Sequence, residues 1–157
     1  MRARRNEAQT TTVTTRRPPP ATYSGFAERV PNLYEFRTSD GHYVYLHEMD
    51  CVGIFFEPTR RRLDLSFECI TSDVMDPLTL VLTFDEARIL EWRDDVSDEA
   101  SLANAGSPRI RGQVSDLGQL GDAHFDLSLL DAYLRFEARS VRCNVVLGPP
   151  FQAASET

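Results

Sequence analysis

The sequence contains no lysine, and its 17 basic residues are all arginine, a bias that reflects genomic composition rather than selection for bidentate anion contacts. Cysteine is scarce and scattered. Cys51, Cys69 and Cys143 are odd in number and far apart, which excludes the close pairs of a zinc ribbon and the even-numbered spacing of a secreted disulfide scaffold. A reducing, cytoplasmic setting is expected. No window approaches the roughly 18 consecutive apolar residues of a membrane span, and the basic N-terminus lacks the apolar segment of a signal peptide. There is no Gly-rich phosphate loop, GxSxG elbow, HExxH or calcium loop of alternating acids. Histidine is limited to His42, His47 and His124. On one regular strand the first two would face opposite sides of the sheet, so neither a metal nor a cofactor is expected.

What remains is enough for one domain with a core of its own. Of 157 residues, 41% are apolar and 26% charged, which excludes wholesale disorder. The charge divides along the chain. Residues 1 to 25 carry Arg2, Arg4, Arg5, Arg16 and Arg17 against Glu7 alone, whereas the remainder carries 12 arginines against 23 acids, a net of −11. Such a body repels phosphate backbones and membranes of like charge, so a basic partner is expected in place of nucleic acid.

The leader reads as a separate object. Thr10, Thr11, Thr12, Thr14, Thr15, Arg16, Arg17 and Pro18 to Pro20 leave almost nothing apolar besides Val13. Such a stretch cannot offset its ordering entropy, so residues 1–25 are expected to be disordered, with polyproline II at the three prolines. The domain is expected to span 26–148, followed by a flexible C-terminus over 149–157.

From residue 41 an alternation of apolar and polar residues predicts strands at 42–47, 51–57, 62–70, 78–84, 87–92, 109–114, 125–130, 132–138 and 141–147. Val52, Ile54 and Phe56 share one face of the second, and residues 57–61 form a hairpin connection through Pro58. Helix is limited to a turn at Phe26–Val30, halted by Pro31, and one or two turns after a cap at Ser97. The glycine-rich tract 112–121 reads as a loop. The fold class is therefore all-β: an antiparallel sandwich or partly closed barrel of about eight or nine short strands. Parallel sheets would need crossover helices that the sequence does not offer.

Two charged clusters and one thiol carry the candidate chemistry. Arg60, Arg61 and Arg62 sit at a hairpin tip and read as local charge balance in an acidic body. Around the single tryptophan, Trp92, stand Glu91, Asp94, Asp95, Asp98 and Glu99. An amphipathic anchor ringed by acids is a pattern that steers and holds a basic protein. Cys51 lies near His47, Glu48 and Asp50, the residue types of a thiol active site.

The runs LHEMDCVGIFFEP, RLDLSFECI and LTLVLTFDEARILEW resemble the β-hairpin series of small bacterial immunity proteins of polymorphic toxin systems and related uncharacterised domains. His47, Glu48, Leu63, Leu65, Phe67, Leu82, Phe84 and Asp85 carry the likeness over about residues 45 to 92, with a His-Glu pair where His-Asp is expected. The resemblance implies a non-catalytic, partner-binding protein, often acidic because many toxin targets are basic nucleases. The resulting expectation is a protein-binding domain, an immunity-like inhibitor of a basic toxin, using Trp92, Asp94, Asp95, Asp98 and Glu99. Two alternatives stand beside it: a thiol-dependent enzyme using Cys51 with His47, and a self-associating module that pairs through exposed strand edges.

Overall fold

Leu63, Leu65, Phe67 and Cys69 are buried on one face of a strand while Asp64, Ser66 and Glu68 line the other, and this alternation, repeated along the chain, builds two facing sheets. The computed structural model describes residues 18–94 and 112–146. Its strands are β1 (Thr22–Ser24), β2 (Glu35–Arg37), β3 (Tyr43–Tyr45), β4 (Asp50–Glu57), β5 (Arg62–Cys69) and β6 (Leu78–Asp85). They continue with β7 (Arg88–Asp94), β8 (Val114–Gln119), β9 (His124–Leu129), β10 (Ala132–Glu137) and β11 (Ser140–Val146). One sheet runs β1-β11-β6-β5-β4, the other β7-β10-β9-β8, and β2 with β3 forms a separate ribbon. The protein is thus an all-β sandwich of open sheets, antiparallel throughout except for β1 beside β11.

Between the sheets the inward rows of β5, β6 and β11 meet those of β9 and β10. Phe84, Phe125 and Phe136 form the centre, with ring centroids 4.7 to 5.4 Å apart. Each is fully buried, and burial of a Phe side chain contributes about 1.5–3 kcal/mol from area alone. The outward rows are polar and cross-linked. Thr83 donates to Asp64 at 2.7 Å, Arg62 lies 3.0 Å from the same carboxylate, and Arg142 donates to Asp85 at 2.9 Å. At one corner the sheets touch through the backbone. Cys51 donates to the Gly112 carbonyl at 3.1 Å, and Asp50 forms an isolated bridge with Gln113.

Several boundaries differ from the sequence reading. Thr22–Ser24, assigned above to the leader, is β1, because β11 offers it a free ladder. Gly25 turns the chain out of that strand at φ +83°, with its α-carbon packed against the Cys143 carbonyl where no side chain fits. Phe26–Val30 is not helical. Phe26 bridges Thr38 and Ala27 donates to the Arg37 carbonyl at 2.9 Å, so the backbone finds its partners across the chain. The strand expected at 42–47 ends at Tyr45 and gives way to a 3-10 turn over Leu46–Glu48.

The tract 112–121 is not a loop but contains β8, and residues 109–111 of the strand expected at 109–114 lie outside the described residues. Gly118 stands opposite Asp126, and a β-carbon there would lie 2.7 Å from the Asp126 Oδ1, so this glycine permits close cross-strand approach within the strand. Residues 1–17, the helix expected after Ser97 and the segment 149–157 lie outside the described residues.

Candidate functional site

β4 and β7 each lie at the edge of their sheet, and the C-terminal half of β4 meets β7 around one cleft. Both carry a β-bulge, a common device at sheet edges. In β4 the pairing steps from Cys51↔Phe67 to Gly53↔Ser66, leaving Val52 extra. In β7 it steps from Ile89↔Phe136 to Glu91↔Arg135, leaving Leu90 extra. The first bulge corrects the face assignment made from sequence: Cys51, with Ile54 and Phe56, points inward, and Val52 is displaced from their row.

Between these two edges the core is open to solvent. Ile54, Phe56, Leu63, Ile89, Trp92 and Leu134 line an apolar cleft of about 220 Å³. Trp92 stands at its mouth, 42% exposed, and is paired across the ladder with the buried Leu134. Phe55, on the outer face of β4, is 63% exposed, and Leu90 at the bulge is 40% exposed. Such a patch at two strand edges is unlike the scattered single apolar residues of an ordinary surface.

Alternation along β7 separates the tryptophan from most of its neighbouring charge. Trp92 and Asp94 take the cleft side, opposite Leu134 and Ala132, whereas Glu91 and Arg93 take the outer side, opposite Arg135 and Tyr133. On that outer side Arg93 lies 3.0 Å from Glu91 and stacks 4.5 Å from the Tyr133 ring centroid. Arg135 donates to the Tyr133 hydroxyl at 3.2 Å. One row further, Glu137 is shared by Arg88 at 2.8 Å and His124 at 3.1 Å. The hydrogen bond from Arg88 holds the Glu137 carboxyl below its usual range. Acids and guanidinium groups therefore interleave over this face.

Of the acids that stand around Trp92 in the sequence, Glu91 takes the outer face and pairs with Arg93, and Asp94 takes the face of the indole. Asp95, Asp98 and Glu99 lie outside the described residues. Sequence reading missed Ile54, Phe56 and Ile89 as cleft residues. The consecutive apolar run Ile54-Phe55-Phe56 was the available signal, since a half-buried strand with one wet face has no use for it.

The residues of the candidate thiol site differ in exposure. Cys51 is fully buried and its sulfur lies 3.7 Å from the Gly53 carbonyl. The His47 ring is on the surface, its Nδ1 2.9 Å from the Tyr34 hydroxyl and its centroid 5.5 Å from Tyr45. Burial pushes the Cys69 thiol up and that of Cys143 up to about 12. No group of three or more His, Cys, Asp or Glu side chains is placed to hold a metal ion among the described residues. The hairpin arginines are partly paired, Arg60 with Glu57 at 3.5 Å and Arg62 with Asp64 at 3.0 Å. Among the described residues no helix is long and apolar enough to cross a membrane.

Comparison with family models, with curated proteins and with solved structures gives no match to this chain.

Proposed function

We propose that this protein is a non-catalytic protein-binding domain that takes its partner at the cleft between β4 and β7, with Trp92 as the anchor and Asp94 beside it. The observation that carries this reading is a half-exposed tryptophan at the mouth of an apolar cleft flanked by two strand edges. Large aromatic anchors seated in pockets dominate binding energies at interfaces. Burial of all three cysteines supports a binding role over thiol chemistry. The partner's charge follows from the −11 carried by residues 26–157, which favours a basic protein and speeds its encounter. An immunity-like inhibitor that holds a basic toxin or nuclease has this chemistry, and it is the form of the proposal that the resemblance of residues 45 to 92 favours.

A photo-crosslinking residue at position 92, compared with the same residue at Leu130, which is exposed in the turn between β9 and β10 and does not line the cleft, tests the proposal in the full chain. The expected result is a crosslink from position 92 to one basic protein that position 130 does not capture. With that protein purified, Trp92→Ala is expected to weaken binding at least tenfold, and Asp94→Asn to slow association and flatten its salt dependence. The same captures from both positions, or none from 92, would overturn the reading.

A further inference from the structure

We propose that the outer edge of β8 takes an extended, basic peptide segment of a partner protein by strand addition, with an arginine or lysine laid across Gly118. β8 stands at the opposite edge of its sheet from β7, so this surface is separate from the cleft and stands without it.

The phase of the β8–β9 ladder decides where the backbone points. Leu120 donates to the carbonyl of His124 directly opposite, so every second residue back along the strand, Gly118 and then Asp116, turns its hydrogen-bonding groups toward β9. Leu117 and Gln119 turn theirs to the outer edge. Before the bulge that edge is covered, since Val114 donates to the Met49 carbonyl at 3.3 Å. Beyond it, among the described residues, the hydrogen bonds of residues 116–119 run to β9 and, from the Gln119 side chain, to the Tyr23 hydroxyl. A groove of about 460 Å³ separates the edge from the segment 30–34, in which Val30 is exposed and Leu33 buried. An extended peptide there continues the ladder and alternates its side chains between groove and surface.

The surface row sets the charge of the occupant. Asp116 and Gly118 take the outer face, with Gly118 opposite Asp126. A β-carbon at Gly118 would lie 3.4 Å from the Asp116 carboxylate and 2.7 Å from that of Asp126, so the glycine leaves a notch between two acids. Among the described residues Asp126 accepts from the Tyr133 hydroxyl at 3.5 Å, Arg135 reaches it through that hydroxyl, and neither acid lies in an ion pair. In an antiparallel guest, the residue opposite Gly118 forms the closer, non-hydrogen-bonded kind of pair, with its side chain on the same face. A guanidinium or ammonium in that place meets both acids, and its two neighbours turn toward the groove. The pattern recognised is therefore apolar-basic-apolar, and the net −11 of residues 26–157 favours its approach.

The test titrates the full-length, isotope-labelled chain with the blocked pentapeptide Thr-Val-Arg-Val-Thr, read by amide chemical shifts and hydrogen exchange. Saturable shifts centred on residues 117–119 are expected, with exchange slowed at the Leu117 and Gln119 amides. Thr-Val-Asp-Val-Thr should bind at least about tenfold more weakly, and Asp116→Asn should weaken the arginine peptide about threefold. Asp116 is exposed, so this variant keeps the fold, which its spectrum verifies. Shifts that do not saturate, or that centre on Ile89 and Trp92, overturn the proposal. So do Leu117 and Gln119 amides that exchange slowly without peptide, because a segment of this chain or a second copy then holds the edge. Equal binding of the two peptides overturns the basic occupant. None of these results alters the crosslink at position 92, so the two proposals fail separately.

Discussion

Arg93 and Glu91 form a 3.0 Å ion pair on the face of β7 that Trp92 does not share. Three consecutive residues thus serve two surfaces: a charged outer face that is largely self-neutralised, and a cleft edge that is apolar. An exposed pair of this kind contributes little to stability, about 0–1 kcal/mol, so its arrangement matters more for which strands can lie alongside.

Burial predicts a wide spread in the cost of removing phenylalanine. Phe136 is fully buried, with its ring centroid 4.7 Å from Phe84, and Phe136→Ala is expected to cost about 3–5 kcal/mol in urea unfolding. Phe55→Ser, at a side chain 63% exposed, should change stability by no more than about 0.5 kcal/mol. Equal losses at both positions would contradict the placing of Phe136 between the sheets and of Phe55 on the outer face of β4.

Gly25 predicts a backbone effect. Its φ of +83° and the Cys143 carbonyl against its α-carbon leave no room for a methyl group. Gly25→Ala should destabilise by at least about 1–3 kcal/mol, whereas Gly41→Ala, at φ +94° but with open space around it, should cost less. Thermal unfolding of the two variants side by side measures the difference.

Glu137 predicts a pH dependence of known sign. Arg88 chiefly, and His124 with it, lower the carboxyl pKa in the folded state from the ordinary 4.5. A carboxylate so shifted contributes stability above its unfolded pKa and loses it as pH falls through the folded value. Wild type should therefore exceed Glu137→Gln in stability at neutral pH, and the gap should narrow to nothing in strong acid. A gap independent of pH would show that the charge of Glu137 is not what stabilises the three-strand row.

Thiol chemistry should be silent in the native protein. With burial holding the Cys143 thiol at about 12, the thiolate fraction at pH 8 is about one in ten thousand, and Cys51 is fully enclosed. Disulfide reagents should label all three thiols in denaturant and none within minutes in the folded state. Rapid native labelling of a single thiol, mapped to Cys51, would restore the enzyme alternative.

Local alternation made much of the sandwich legible. Leu63 to Cys69 and Leu78 to Phe84 announce their strands because each buried side chain is two residues from the next, and Pro58 announces the hairpin between β4 and β5 through its fixed φ. Trp92 stood out in the sequence as one large amphipathic residue in a charged stretch, and it lies at the cleft, 42% exposed. None of these signals looks beyond a few neighbours. Thr22–Ser24 becomes a strand only because β11, more than a hundred residues later, presents a ladder to it, and Gly118 belongs in a strand only because Asp126 crowds it from the next one. The extra residues Val52 and Leu90 are likewise set by registers between strands. The amino-acid order alone therefore determined the fold class and most of the strands, whose cause is local periodicity. Which side of β7 holds the indole, which charges surround it and where the core stays open were decided by pairing between distant strands, since a bulge of one residue reverses every face that follows it.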